Sequence, residues 1–138
     1  MKNIVTRSTQ KSKLGFIMDA GLNAWVVFSG ETDLPWLRIL KPGFRHCFVL
    51  MNDGKHWISV DPLANHTEVS VHHVPADFDL PGWLKSRGQK VVQAPVCRTR
   101  MRIAPIGFFT CVEAVKRVLG LHDGFVFTPW QLYRRLTV

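Results

Sequence analysis

Phe44-Arg45-His46-Cys47-Phe48-Val49-Leu50-Met51, then Asn52-Asp53-Gly54-Lys55, then His56-Trp57-Ile58-Ser59-Val60 is the stretch on which the fold of this chain turns. Two apolar runs rich in β-branched and aromatic residues flank an Asp-Gly pair, the strongest short-range signal for a β-hairpin. With Asp53 and Gly54 as the two loop residues, Asn52 faces Lys55, Leu50 faces Trp57, Phe48 faces Ser59 and His46 faces Asp61. A four-residue loop keeps this register, whereas a three-residue loop places Pro62 opposite His46. Side chains alternate along a strand, so His46, Phe48, Leu50, Trp57, Ser59 and Asp61 share one face. Cys47 points to the other face as a packing residue. Directly opposed Cβ atoms lie about 4.5–5.5 Å apart, so a carboxylate on one strand can hold an imidazole on the other.

Upstream, residues 22–28 (LNAWVVF) read as a short, apolar, buried strand ended by Ser29-Gly30. Asp33-Leu34-Pro35 offers an N-cap with proline in the first turn of a short helix over residues 36–40, and Lys41-Pro42-Gly43 is a turn. Downstream, residues 67–74 alternate as a strand closed by Pro75. Residues 79–88 carry a short helix, and residues 90–96 a further strand whose proline marks its end or an edge. Pro105-Ile106-Gly107 breaks the chain before a second decisive stretch, Phe109-Thr110-Cys111-Val112-Glu113. Thr110 and Glu113 have capping-box spacing, so Thr110 is the expected N-cap, Cys111 opens the helix and Gly120 closes it. Val112, Val115, Val118 and Leu119 then face the core. Thr128-Pro129-Trp130-Gln131 is another capping box, opening a last helix to about residue 136 with Trp130, Leu132 and Leu136 packed inward.

The expected fold class is α+β: an antiparallel sheet with the helix that opens on Cys111 packed against it. The 138 residues and 46% apolar content suit one globular domain over residues 15–138, preceded by a flexible basic tail over residues 1–14. No apolar run approaches the roughly 20 residues that span a bilayer, and the basic N-terminus has no apolar core of a secretory signal. Three cysteines at irregular spacing, Cys47, Cys97 and Cys111, do not form a disulfide framework, which suits a reducing, cytoplasmic setting. Cys97 reads as incidental. The net charge of +8 gathers partly at Lys11-Ser12-Lys13, Arg98 to Arg102 and Arg134-Arg135, a balance that suits a solvated surface or an anionic polymer. His56, His66, His72 and His73 show no zinc-ligand spacing, and adjacent His72-His73 point to opposite sides of a strand, so no metal or other cofactor is expected.

A cysteine at a helix N-terminus is biased towards thiolate. A histidine within its reach can act as its base, and a carboxylate can orient that histidine. Cys111, His46 and Asp61 are therefore the candidate nucleophile, base and orienter, with the Cys111 backbone N–H as an oxyanion donor. This constellation resembles that of the papain-like thiol hydrolases. The chain order His46, Asp61, Cys111 is similar to the circularly permuted branch of the NlpC-like peptidases and amidases, which includes the lecithin:retinol acyltransferase-like proteins. The resemblance rests on residues 43–49, 60–62 and 109–113. No family-specific sequence surrounds Cys111, and residues 63–107 contain no motif of the family. The resemblance implies a peptidase or amidase acting through an acyl-enzyme on a peptide, isopeptide or other acyl substrate, with cell-wall peptide and a phage or bacterial setting among the contexts known for such domains.

Two other classes fit the same residues. One is a catalytically inactive structural or assembly protein, for example phage-related, that keeps a hydrolase fold. The other is a basic nucleic-acid-binding module using Arg98, Arg100, Arg102, Arg134 and Arg135, for which no helix-turn-helix, RNA-recognition or OB signature is found.

Overall fold

The structure of the protein, a computed structural model, describes residues 22–32, 35–96 and 110–138. The expected basic tail, the Asp33 cap, Cys97, the Arg98 to Arg102 cluster and the break at residues 105–107 lie outside the described residues. Within them the chain runs β1 (Asn23–Ser29), a 3-10 turn (Pro35–Ile39), β2 (His46–Asn52), β3 (Trp57–Pro62), β4 (Thr67–His72), α1 (Leu80–Ser86), β5 (Lys90–Ala94), α2 (Cys111–Leu119) and α3 (Pro129–Thr137). The strands form one five-stranded sheet in the order β4-β3-β2-β1-β5, with every neighbouring pair antiparallel. The class is therefore α+β, with three α-helices among the described residues.

The centre of the sheet is covered on both faces, while β4 at its edge leaves Val69 and Val71 exposed. β1 lies between β2 and β5, and its Ala24, Val26, Val27 and Phe28 are all buried, the continuous apolar run expected of a strand with no solvent face. On one side Val26, Phe28, Cys47 and Val49 meet Val112, Val115 and Leu119 of α2 and Leu132 of α3. On the other, Val27, Leu50, Trp57 and Val91 meet Leu80 of α1. Trp57 belongs to this second cluster, against Trp25 with ring centroids 5.2 Å apart, and so packs in the core and does not line the Cys111 site. No helix among the described residues is long and apolar enough to cross a membrane.

The β2–β3 hairpin forms, but its register is two residues from the expected one. Asn52 pairs with Trp57 and Val49 with Val60, so the loop is Asp53 to His56. The loop's polar side chains explain this. Asp53 Oδ1 accepts from the backbone N–H groups of Lys55 and His56 at 2.8 and 2.7 Å, Asn52 Oδ1 accepts from Gly54 N at 2.7 Å, and Gly54 adopts φ 91°. A two-residue shift keeps every side chain on its expected face. At α2, Thr110 caps as expected through Glu113 N at 3.2 Å, but the reciprocal half of the capping box is absent. The Glu113 carboxylate instead binds Lys116 and Arg117 at 2.9 and 3.2 Å, because Lys116 is buried and needs a partner. At α3 the full Thr128–Gln131 capping box is present. The residues expected as a short helix after Pro35 form a 3-10 turn instead.

Leu119 is fully buried at the end of the α2 stripe. Leu119→Ala is expected to destabilise the fold by about 2–5 kcal/mol through lost contact and a residual cavity. Val69→Ala, at a side chain 64% exposed on β4, should stay within about 0.5 kcal/mol. Urea denaturation, read from the midpoint at constant slope, checks both.

Candidate active site

His46 is positioned by what precedes it. Phe44 is buried against Trp130 and Tyr133 of α3, with ring centroids 4.8 and 4.9 Å apart, and against Phe28 of β1 at 5.6 Å. The Lys41 ammonium sits 3.2 Å over the Trp130 ring. The Arg45 backbone N–H donates to Ser29 O at 2.9 Å, and its guanidinium donates to Gly30 O and Arg38 O at 3.3 and 3.4 Å. Gly43, at φ 83°, lets the chain turn here, and a Cβ at Gly30 would come within 3.2 Å of the Gly43 backbone. These contacts fasten the start of β2 to β1 and α3.

The pairing of Val49 with Val60 sets Phe48, not His46, opposite Asp61. His46 meets Asp61 on the diagonal, where neighbouring residues lie about 7–8 Å apart and an imidazole and a carboxylate together span the gap. Nε2 of His46 lies 2.6 Å from Oδ1 of Asp61, with 20% of the histidine side chain and 30% of the aspartate exposed. The Phe48 ring stacks beside the imidazole at 6.5 Å. With Nε2 engaged by Asp61, Nδ1 is the ring nitrogen left for the cleft that His46 shares with Cys111.

Cys111 opens α2 one position before the buried Val112, partly exposed and facing a cleft. Cys111 packs against the cluster that holds Cys47, and it lines the same cleft as His46. Cys47 points away from His46 into the α2 side of the core, as expected, and is fully buried there. That Cys111 packs against the same cluster as Cys47 was not part of the expectation. The clue lay in the alternation itself: the face opposite His46 is the face on which the Cys111 helix packs.

The electrostatics follow from these contacts. For Cys111 the hydrogen bond from the Cys47 thiol is the largest influence. Burial opposes it, and the hydrogen bond and positive charge of His46 add to it, bringing the thiol down to about 5. For His46 burial is the largest influence and disfavours the charged ring. The hydrogen bond to Asp61 and the hydrogen bond and charge of Cys111 together overcome it, raising the imidazole to about 9. Burial pushes the Cys47 thiol well above the ordinary range, aided by the neighbouring Cys111. Both shifts run in the direction that favours a Cys111 thiolate and a His46 imidazolium.

The cleft over this pair has a volume of about 480 Å³. Trp36, Leu37 and Leu40 wall it from the 3-10 turn, Pro62 to Ala64 from the end of β3, and Phe127 to Pro129 from the start of α3, with Glu31 and Arg45 as its charged lining. A hollow of about 520 Å³ lies on the α1 side, lined by Trp25, Asp77, Phe78 and Lys85 among others, and holds none of the three candidate residues. At the N-terminus of α2, Thr110 Oγ1 takes Glu113 N and Thr110 O takes Ala114 N. The N–H groups of Cys111 and Val112 have no partner within the helix and stand at the cleft lining. Among the described residues, no three His, Cys, Asp or Glu side chains form a group able to hold a metal ion. His56 pairs with Asp53, His66 with Asn65 and His72 with Ser59, each apart from the cleft. Comparisons with protein families, with curated proteins and with solved structures find no match to this chain.

Site-resolved alkylation checks the ion pair. The Cys111 rate should reach half its plateau near pH 5, where an ordinary thiol does so near pH ~8.5. Because the Cys111 value is lowered, reactivity is lost as pH falls through it. In His46→Ala the half-point should rise by at least about one pH unit as the positive partner disappears.

Proposed function

We propose that this chain is a thiol hydrolase, a peptidase or amidase of the papain-like type with the permuted order His46, Asp61, Cys111. The observation that carries the reading is that His46 is held by Asp61 at 2.6 Å on one ring nitrogen and lines the same cleft as Cys111 at the N-terminus of α2. The α2 helix seated on an antiparallel sheet, with the thiol at its N-terminus and a cleft above, supports the same reading.

The residues divide the chemistry as follows. The Cys111 thiolate attacks the substrate carbonyl carbon, and an S–C bond forms as the carbonyl π electrons move to oxygen. The oxyanion faces the Cys111 and Val112 N–H groups at the positive end of α2. The His46 imidazolium gives its proton to the leaving nitrogen, the C–N bond breaks and the amine departs, leaving a thioester on Cys111. Neutral His46 then takes a proton from water as the water oxygen attacks the thioester. The S–C bond breaks, the acid leaves, and the thiolate–imidazolium pair is restored. Asp61 fixes the ring orientation and supports its charge through both steps. The largely apolar cleft walls suit an acyl portion with apolar groups. The +8 charge, with Arg45 in the cleft and Arg38 and Lys41 beside it, suits an anionic substrate or polymer, and cell-wall peptide is the first substrate to try.

A panel of peptide, isopeptide and cell-wall amides, assayed with purified protein, tests the reading. Cys111→Ala should abolish turnover with an unchanged thermal melt. Asp61→Asn should lower kcat by about 10²-fold or more while substrate binding persists. Undiminished turnover by Cys111→Ala would overturn the assignment.

A further inference from the structure

β4 closes one end of the sheet, and among the described residues its outer edge has no strand beside it. Its register with β3 runs unbroken from the pairing of Thr67 with Pro62 to that of His72 with Trp57, so no bulge turns the edge away. Nor does the strand, Thr67-Glu68-Val69-Ser70-Val71-His72, carry the proline or lysine that commonly blocks strand addition.

Both faces of this edge are incomplete. Val49, buried against α2, pairs with Val60, and Val60 pairs with Val69, so Val69 and Val71 lie on the α2 side of the sheet. They are 64% and 52% exposed, and Ile58 and Val60 beside them on β3 are only half-buried. On the other face Glu68 stands directly opposite Asp61, carboxylate against carboxylate, a like-charge pairing that costs stability. Glu68 Oε1 accepts from Ser70 Oγ at 3.0 Å and meets no cation among the described residues. His72 engages Ser59 Oγ through Nε2 at 2.9 Å, which leaves Nδ1 for a further group.

We infer that the outer edge of β4 is the docking surface for a second copy of this chain, paired antiparallel about a two-fold axis through Ser70. Backbone groups of alternate residues point outward along an edge strand, so two copies pair only where both offer outward groups. The axis must then pass through a residue and not between two. An axis through Glu68 sets two carboxylates face to face. One through Val69 sets Glu68 opposite Ser70, and one through Val71 sets it opposite Val74, beyond the end of the strand. Of the axes near the middle of the strand, the one through Ser70 sets each Glu68 opposite His72 of the second copy and each Val69 opposite Val71 of the second copy. The four valines then cover one another on the α2 side, and an imidazole meets each carboxylate on the other.

Sedimentation velocity on the full chain over a concentration series reads the association, with a thermal melt of each variant in dilute solution. Six residues a side make a small interface, so a monomer–dimer equilibrium in the micromolar range is expected. Val71→Lys should leave the melt unchanged and weaken association by about tenfold or more, since it sets an ammonium against Val69 of the second copy. Mild oxidation and mass spectrometry of the linked peptides read the register. Ser70→Cys lies on the axis, with Cβ atoms about 4.5–5.5 Å apart, and should link to its own counterpart. Val69→Cys and Val71→Cys should not link to themselves, but the two variants mixed should link to each other. Wild type oxidised in parallel identifies links through Cys47, Cys97 or Cys111. A chain that stays monomeric up to about 1 mM overturns the inference. So does association that Val71→Lys leaves unchanged, and so does self-linkage of Val69→Cys or Val71→Cys in preference to Ser70→Cys.

Discussion

The seating of α2 on the centre of the sheet governs the rest of the molecule. Val112, Val115 and Leu119 fall at the i, i+3, i+7 positions of one helical face and are buried against Val26, Cys47 and Val49. Burying a side chain of this size contributes about 1.5–3 kcal/mol, so the stripe resists both rotation and sliding. Cys111 precedes the first of these anchors by one residue. Its sulfur is therefore carried to the rim, between core and cleft, by residues that take no part in the chemistry. Gly120, at φ 70°, ends the helix and turns the chain towards Lys116 and α3.

Around that seat the charges depend on one another. Burial disfavours the imidazolium, and the partners of His46 reverse that preference. Burial likewise disfavours the thiolate, and the donors around Cys111 reverse it. Each charge is tolerated in a partly enclosed place only because the other stands beside it. Asp61 holds one nitrogen of the ring at 2.6 Å and so fixes its orientation. Lys116 shows the same logic away from the cleft: it is buried, and its ammonium is met by the Glu113 carboxylate and Asp123 O at 2.9 and 2.7 Å.

Much of this is legible in the chain because it is local. Asp53-Gly54 between apolar runs announces the hairpin, Thr128 with Gln131 announces α3, and the run from Ala24 to Phe28 announces a strand covered on both sides. The faces were readable because alternation survives a register shift of two. The register itself was not, since it turns on whether Asp53 and Asn52 direct their oxygens to Gly54, Lys55 and His56. Thr110 and Glu113 have the spacing of a reciprocal cap, but the competing demand of a buried Lys116 is visible only once the helix is packed. The cleft walls were out of reach for the same reason. Trp36, Leu63 and Phe127 come from three separated segments with no shared pattern.

The strand order has a consequence for the site. β1 to β4 are joined in sequence as neighbours, so the His46–Asp61 pair belongs to one hairpin that short-range contacts can assemble. β5 must return to the far side of β1, and α2 follows it in the chain. The imidazole and its carboxylate thus meet within one local unit, whereas Cys111 reaches their cleft on a helix from much later in the chain. The contacts that hold the first pair are short-range and those that bring the cysteine beside it are long-range, so a loss of α2 packing would part the cysteine from a histidine–aspartate pair that the hairpin holds by itself.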